Sequence, residues 1–406
     1  MSARRTYLDY NATAPLRPEA RAAVLAALDA GGNPSSVHAE GRRARALVET
    51  AREQVAELVG AVAADVVFTS GATEAANTVL RRAWRTILFA RIEHPCVVAP
   101  VLAAEGRIVE LAVDGDGVID VAAFAERLAE LAAAGQLPAG QSLVCVQMAN
   151  NETGVLQPVS RIAGIARSHG VAVLCDAVQA AGRIGIDFRT LGVDYLIVSS
   201  HKIGGPKGVG ALVAHDGGGL APLIIGGGQE RRHRAGTENV EGIAGFGAAA
   251  VAARRDLADI SRITRLRDGV ERELRAARDD VVIVAGLAPR LANTTCVGVP
   301  GVAAETLVIK LDLAGIAVSA GSACASGKVG SSPVLAAMGI APEVARTVIR
   351  VSLGRESSEA DAARFVEAWR RAVSQPAGKE LARARAAGAA IGSDEAAPGA
   401  ASMGER

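Results

Sequence analysis

A lysine at the end of an apolar stretch is the first candidate for chemistry. Lys202 follows Val198 and Ser199 and precedes a turn rich in glycine and proline, in the stretch SSHKIGGPKG. Lysine is rare in this chain and occurs only at positions 202, 207, 310, 328 and 379. Its primary amine can form a Schiff base with an aldehyde, which arginine cannot do. The alternative is an ordinary surface lysine at the end of a strand.

A carboxylate ends a second apolar stretch. Asp176 closes the run that begins at Val173, where an isolated charge would be costly to bury. A pyridinium nitrogen would pair with such a carboxylate, and pyridoxal phosphate (PLP) needs that partner to act as an electron sink. Asp176 could instead cap the next helix. Together with Lys202, it favours a PLP site.

A third segment joins a strand, small residues and the start of a helix, in FTSGATEAAN at 68–77. The free N–H groups of this helix start at Ala72 and Thr73, together with the Thr73 hydroxyl, would hold a phosphate. Ser199 and His201 could add donors from the other side. A Ser or Thr followed by Glu is also an ordinary capping box, so the signal is weak alone.

Two further polar segments follow strands. His94, in Glu93-His94-Pro95, could stack on a flat ring or move a proton, although a core or capping histidine is the plainer interpretation. Asn150, in NNETG, could orient a ring hydroxyl or a substrate carboxylate through its amide. A plain turn is the alternative for Asn150.

A reactive thiol is predicted near the C-terminal third of the chain. Cys324 lies among small residues in AGSACASG, which predicts a flexible loop where a thiolate can reach a ligand. An incidental loop cysteine is the alternative. Arg350, in a β-type run, is suited to clamp an amino-acid carboxylate with two hydrogen bonds, or to form a structural salt bridge.

The elements that must position these residues alternate between strands and helices. The apolar runs predict strands at 66–69, 86–90, 142–148, 171–175, 195–199 and 209–214, and a helix at 159–168. Such alternation predicts a parallel sheet covered on both faces, with ligands beyond the carboxyl ends of its strands. A long Ala-rich helix is predicted after Asn239, followed by a charged helix at 256–278 and a domain boundary near residue 255.

Composition narrows the classes of protein. The formal net charge of the 406 residues is +1, which gives no electrostatic footprint for nucleic acid or an anionic membrane. The five cysteines are odd in number and no pair is spaced as CxxC, so we expect no disulfide scaffold. No signal peptide and no membrane-length apolar run is apparent, and we expect a cytoplasmic enzyme without a metal site.

The motifs taken together resemble one family. In chain order they are YLDYNATAP, GGNPSSVHAEGRRAR, VVFTSGATEAAN, EHP, NNETGVLQP, CDAVQ, SSHKIGGPKG, GGGQERRHRAGTEN, SAGSACASG and IRVSLG. The set is similar to the cysteine desulfurases, in the branch that supplies sulfur for iron–sulfur cluster assembly. The resemblance covers residues 6 to about 375 and is specific, because ten segments occur in the order of that family.

The resemblance implies an α/β protein of PLP fold type I. A large domain at 16–255 would hold a mainly parallel seven-stranded sheet, and a smaller α/β domain at 256–375 would carry the Cys324 loop. Residues 1–15 would pack near the small domain, and residues 376–406 would form a flexible tail. The implied site residues are Ala72, Thr73, His94, Asn150, Asp176, Gln179, Ser199, His201, Lys202 and Thr237 for the cofactor, Asn33, Asn150 and Arg350 for the substrate, and Lys202, Cys324 and His94 for catalysis.

The resemblance also implies the reaction and its partners. L-Cysteine would become L-alanine while its sulfur remains on Cys324 as a persulfide, for transfer to an acceptor protein such as an iron–sulfur scaffold. Thr237 would contact the cofactor of a second subunit, which implies a homodimer. Selenocysteine lyase or another PLP fold type I enzyme, and a partner-docking scaffold that retains PLP, are the alternatives. A nucleotide-binding oxidoreductase is disfavoured because no GxGxxG follows the first strand.

Overall fold

The strands and helices come from a computed structural model that describes residues 5–321 and 332–374. Cys324 and the expected tail at 376–406 lie outside the described residues. The described strands are β1 (Thr6–Tyr7), β2 (Val66–Thr69), β3 (Thr86–Ala90), β4 (Arg107–Leu111), β5 (Ser142–Gln147), β6 (Ala172–Asp176), β7 (Tyr195–Ser199), β8 (Gly210–Val213), β9 (Val282–Ile283), β10 (Thr294–Gly298), β11 (Ile316–Ala317), β12 (Ser319–Ala320) and β13 (Ile349–Ser352).

Helices connect and cover these strands. The described helices are α1 (Pro18–Ala30), α2 (Ala39–Val59), α3 (Ala72–Leu80), α4 (Pro95–Leu102), α5 (Val121–Ala133), α6 (Val159–Ser168), α7 (Phe188–Leu191), α8 (Val240–Asp256), α9 (Ile260–Ala277), α10 (Ala304–Leu313), α11 (Pro333–Ala337), α12 (Pro342–Ala345) and α13 (Glu359–Ser374). In the part of the chain that the structure describes, no helix combines the length and apolar character needed to span a bilayer.

Seven strands form a mainly parallel sheet, in the order β2-β8-β7-β6-β5-β3-β4. Only β8 runs antiparallel to its neighbours in this sheet. Helices cover both faces, so alternate side chains of one strand enter different cores. Leu88 belongs to the buried cluster that includes residues of α1, α2, α5, α6 and α8, whereas Phe89 belongs to the cluster that includes residues of α3 and α4. The predicted parallel sheet is therefore confirmed.

A smaller antiparallel sheet of order β12-β13-β10-β9 forms a second layer with α9, α10 and α13. Its core contains the fully buried Leu307, Leu311, Phe365 and Trp369. Because α8 packs on the large sheet and α9 on the small one, we keep the division near residue 255 as a proposal.

Residues 6–17, the N-terminal strap, connect the two sheets. β1 pairs in parallel with β11, and the Tyr10 N–H donates to the Ser352 carbonyl at 3.2 Å. Further along, the Ala14 N–H donates to the His201 carbonyl at 2.9 Å, and the Arg17 N–H to the Gly204 carbonyl at 2.8 Å. The strap thus runs from the small sheet to the segment that follows β7.

Candidate active site

The large sheet brings most of the predicted site residues to one cavity. Parallel strands place their carboxyl ends at the same edge, and the segments that follow β2, β3, β5, β6 and β7 meet there. The cavity measures about 530 Å³. Its wall contains Ala72, Thr73, His94, Asp176, Gln179, Ser199, His201 and Lys202.

Other predicted residues lie elsewhere. Asn33 is exposed in the loop between α1 and α2, where its Oδ1 accepts the Ser35 N–H at 2.8 Å. Thr237 is exposed and does not line the cavity of its own chain. Asn150 and Arg350 are buried behind the cavity wall. These four roles remain predictions.

The Asp176 carboxylate is buried at the end of β6. Its Oδ1 accepts the Val178 N–H at 2.9 Å, so Asp176 also fixes the turn that follows the strand. Burial raises the pKa of Asp176 to about 6, although that hydrogen bond and the Lys202 ammonium oppose the rise. Asp176 is therefore mainly ionised at neutral pH and can face a cationic ring nitrogen.

The Lys202 amine is half-buried and is held against the N-terminal strap. Its Nζ donates to the Asn11 carbonyl at 2.6 Å and to the Ala12 carbonyl at 2.9 Å. The Gln179 amide donates to the same Asn11 carbonyl at 3.0 Å. The strap therefore orients both Lys202 and Gln179.

Two histidines in the cavity wall are neutral at physiological pH. Burial, reinforced by the Lys202 ammonium, lowers the pKa of His94 and of His201 to about 4 in each case. The His94 Nδ1 accepts the Cys96 N–H at 3.2 Å and caps α4, so the neutral ring carries its proton on Nε2. The capping interpretation of His94 and its place in the cavity are therefore compatible.

The start of α3 supplies hydrogen-bond donors at the other end of the cavity. Gly71 precedes the helix without a side-chain cap, which leaves the N–H groups of Ala72 and Thr73 for an external acceptor. The buried Ser199 adds a hydroxyl to the same wall. This donor set suits a phosphate.

The two asparagines of the NNETG turn, Asn150 and Asn151, lie in different surroundings. The Asn150 Oδ1 accepts the N–H groups of Glu152 and Thr153 at 2.8 and 2.9 Å, so its side chain holds the turn together. Asn151, which sequence reasoning did not select, lines the cavity instead. Adjacent identical residues gave no signal to separate them.

Arg350 adjoins the cavity through Asn151. Its Nη1 donates to the Asn151 carbonyl at 3.0 Å, and its Nη2 donates to the Asp9 carboxylate at 2.9 Å. Only 2% of Arg350 is exposed. Both predictions for this side chain, a salt bridge and proximity to the site, are compatible with these contacts.

Glu93 is a buried acid that sequence reasoning passed over. Its Oε1 accepts the Gln147 N–H at 2.7 Å, and Gln147 is paired in register with Asp176. Burial raises the pKa of Glu93 to about 8, and the nearby Asp176 charge adds to the rise. Glu93 is therefore protonated at neutral pH while Asp176 keeps its charge. Its place after an apolar run, like that of Asp176, was the available signal.

The residues of the cavity fit PLP at both of its ends. A buried carboxylate, Asp176, and a primary amine, Lys202, suit the ring nitrogen and the aldehyde, while the uncapped start of α3 suits the phosphate. A larger groove of about 940 Å³ lies between α9 and α13, but none of the predicted site residues line it.

Known proteins match this chain over most of its length. Residues 6–365 match the family described as aminotransferase class-V. A cysteine desulfurase of Trichormus azollae is 41% identical over 372 residues, which cover 89% of this chain and 91% of that protein. Cysteine desulfurase IscS of Dictyoglomus turgidum is 37% identical, with coverage of 88% and 92%. A NifS-like protein from Rickettsia africae has an X-ray structure with a TM-score of 0.83 and 34% identity, covering 91% of this chain and 100% of that one.

The chain belongs to the class V aminotransferase family. The predicted PLP fold type I is confirmed by the seven-stranded sheet and by the likeness to the NifS-like structure. Within that family the chain is a PLP-dependent cysteine desulfurase, because relatives of that name align with it over most of both chains.

Proposed function

We propose that this enzyme converts L-cysteine to L-alanine by the combined action of Lys202, Asp176 and Cys324, and that Cys324 keeps the sulfur as a persulfide. The observation that supports this most is the presence of an amine and a buried carboxylate in one cavity whose far end can bind a phosphate. When bound, PLP supplies an electron sink and a covalent anchor for the amino group of the substrate.

The cavity residues divide the task of holding the cofactor. Lys202 would hold it covalently and Asp176 would face the ring nitrogen. Gln179 would contact the ring hydroxyl and His94 would stack on the ring. The N–H groups of Ala72 and Thr73, with Ser199 and His201, would bind the phosphate, and Thr237 of a second subunit would complete that end in a homodimer.

Lys202 would also move protons at the substrate, because its amine lies in the cavity after the end of β7. His94 is a second candidate, since its neutral ring carries a proton on Nε2. Arg350 would bind the substrate carboxylate in exchange for Asp9. We transfer the substrate role of Asn150 to Asn151, because the Asn150 amide is used within its turn. Asn33 would add a contact only if a second subunit or a rearranged loop brought it to the site.

The sulfur step conserves atoms and electrons. The Cys324 thiolate attacks the sulfur of the substrate, an S–S bond forms and the C–S bond breaks. The carbon fragment keeps the bonding electron pair and gains a proton in place of sulfur, which yields alanine. One thiol and one cysteine thus become one persulfide and one alanine, without an external oxidant.

The persulfide would then pass to an acceptor protein in the cytoplasm, such as an iron–sulfur scaffold. Selenocysteine lyase is the second candidate function, because the same cavity residues suit both amino acids. Alanine formation from cysteine and from selenocysteine, measured side by side, separates the two functions.

The Cys324→Ser variant tests the thiol role. We expect it to retain the PLP absorbance of the wild type and to release no sulfide from cysteine under reductant. Cys145→Ala is the matched control, because burial raises the pKa of that thiol well above its usual range. Sulfide release at the wild-type rate by Cys324→Ser would contradict the proposal.

Borohydride reduction followed by mass spectrometry tests the amine. A pyridoxyl adduct is expected on the Lys202 side chain and not on Lys207, and fragment ions of the peptide that contains both lysines distinguish the two positions. An unlabelled Lys202 would overturn the cofactor assignment as well as the mechanism.

A further inference from the structure

A carboxylate lines the end of the cavity that suits a phosphate. Glu74 lies in the first turn of α3, beside Ala72 and Thr73, and its side chain is only 9% exposed. Burial raises the pKa of Glu74, but hydrogen bonds from Arg234 and Ser70 outweigh burial and hold the pKa below its usual value. A charged carboxylate in this position would repel a bound phosphate.

Arg234 offsets this charge directly. Its Nε donates to the Glu74 Oε1 at 3.0 Å, and its Nη2 lies 3.4 Å from Oε2. Oε2 also accepts the Ser70 N–H at 2.8 Å. The Arg234 side chain is 24% exposed, so solvent screens this pair less than a fully exposed one. Arg234 therefore fixes the carboxylate as well as neutralising it.

The segment that carries Arg234 is itself anchored to the strand that leads into α3. Glu230 forms two hydrogen bonds with Arg52, at 2.7 and 2.9 Å, and accepts the Phe68 N–H of β2 at 2.8 Å. Glu230, Arg231 and Arg232 have positive φ angles of 45°, 55° and 71°. Three consecutive non-glycine residues in this conformation require support from their surroundings.

A helix-capping role for Glu74 does not account for Arg234. The Ser70 N–H alone would satisfy a capping carboxylate. The second partner comes from residue 234, which is 160 positions away in the chain and lies on a braced, strained segment. This second partner is explained if an uncompensated Glu74 charge would weaken binding of an anionic ligand.

We propose that Arg234 is a positioning residue for the phosphate end of the cavity. It cancels the Glu74 charge and draws the carboxylate away from the N–H groups of Ala72 and Thr73, which then face an anion without a competing negative charge. This inference rests on the proposed PLP site and adds a residue to it that contacts no cofactor atom.

The test compares two ligands of the apo-enzyme that differ only in the phosphate. The apparent dissociation constants of PLP and of pyridoxal are measured by absorbance for the wild type and for Arg234→Ala. At an effective dielectric of about 20, one uncancelled charge near a phosphate weakens binding by about tenfold or more. We expect that loss for PLP and less than about a twofold change for pyridoxal.

Three further variants keep the inference open to refutation. Replacing Glu74 by Gln in the Arg234→Ala background should restore most of the PLP affinity, and Arg234→Lys, which keeps the charge, should retain it. Arg231→Ala is the matched control, because Arg231 is exposed on the same segment and bonds to the Ala64 carbonyl. Equal losses for PLP and pyridoxal, or no recovery in the double variant, would overturn the inference. A wild-type enzyme that binds no PLP would instead refute the proposed function.

Discussion

The buried ion pair between Arg52 and Glu230 should make a large contribution to stability. Both side chains are at most 3% exposed. The Glu230→Ala change removes two charged hydrogen bonds to Arg52 and the one that fixes the Phe68 N–H. Breaking a buried pair by removing one partner typically costs about 3–5 kcal/mol, because the other charge stays buried.

The size of the effect can be worked out further. Arg52 keeps a second partner, since its Nε donates to Glu49 at 3.1 Å, and Glu49 is 46% exposed. We therefore expect the lower end of the range, about 3 kcal/mol. Unfolding entropy near 2.1 cal/mol/K per residue converts this loss to a decrease in Tm of roughly 4 °C for a chain of this length.

Thermal and urea unfolding of Glu57→Ala provide the control. Glu57 pairs with Arg254 at 2.9 Å, but these side chains are 56% and 52% exposed, so the loss should stay below about 1 kcal/mol. The double variant Arg52→Met, Glu230→Met should recover much of the stability lost in Glu230→Ala, because no buried charge remains. If the Tm of Glu230→Ala lies within about 1 °C of the Tm of Glu57→Ala, the assigned contribution of this pair is wrong.

Three other predictions follow from single side chains. Glu93 takes up a proton on folding between its unfolded pKa of 4.5 and its folded pKa of about 8, so the stability of the wild type should fall as pH rises through that window. Glu93→Gln should therefore have a higher Tm than the wild type at pH 9 but not at pH 4. The same dependence of Tm on pH in both proteins would contradict this. Ser332→Ala removes the hydroxyl that donates to the buried Glu152 and leaves that carboxyl without this partner, so Tm should fall by about 1–4 °C, whereas an unchanged Tm would contradict the assigned contribution. Asn150→Ala should lower Tm by about 2–4 °C, because its side chain holds the turn together. Asn151→Ala should raise KM for cysteine at constant Tm, because Asn151 lines the cavity. The reverse pattern would refute this division of roles.

Buried strands were the easiest elements to predict. The limits of β2, β3 and β7 and of α6 agree with the apolar runs, because both faces of the large sheet are covered and few polar residues interrupt those runs. β4 was missed because it lies at the sheet edge, where Arg107 and Glu110 are exposed. Hydrophobic patterns in a sequence indicate burial, so they do not reveal strands that are partly exposed to solvent.

The site was predictable where residue type carries the chemistry. Lys202 and Asp176 each had a plain explanation alone, a surface lysine and a helix cap, and they were identified because the two residue types occur together at strand ends. Glu93 carried the same signal as Asp176, its place after an apolar run, and was passed over. The contributions of Asn151 and Arg234 depend on contacts between residues far apart in the chain, and one sequence contains no sign of such contacts. The backbone carbonyls of the N-terminal strap that hold Lys202 were beyond reach for the same reason.

The route of the N-terminal strap sets the order in which the enzyme matures. Asn11 and Ala12 leave the ribosome early, yet the N–H of Asn11 bonds to the Ser352 hydroxyl, which emerges some 340 residues later. At about 5–20 residues per second, that delay is roughly 20–70 s. The strap segment that holds Lys202 therefore cannot make all of its native contacts on the nascent chain until nearly all of that chain has been translated.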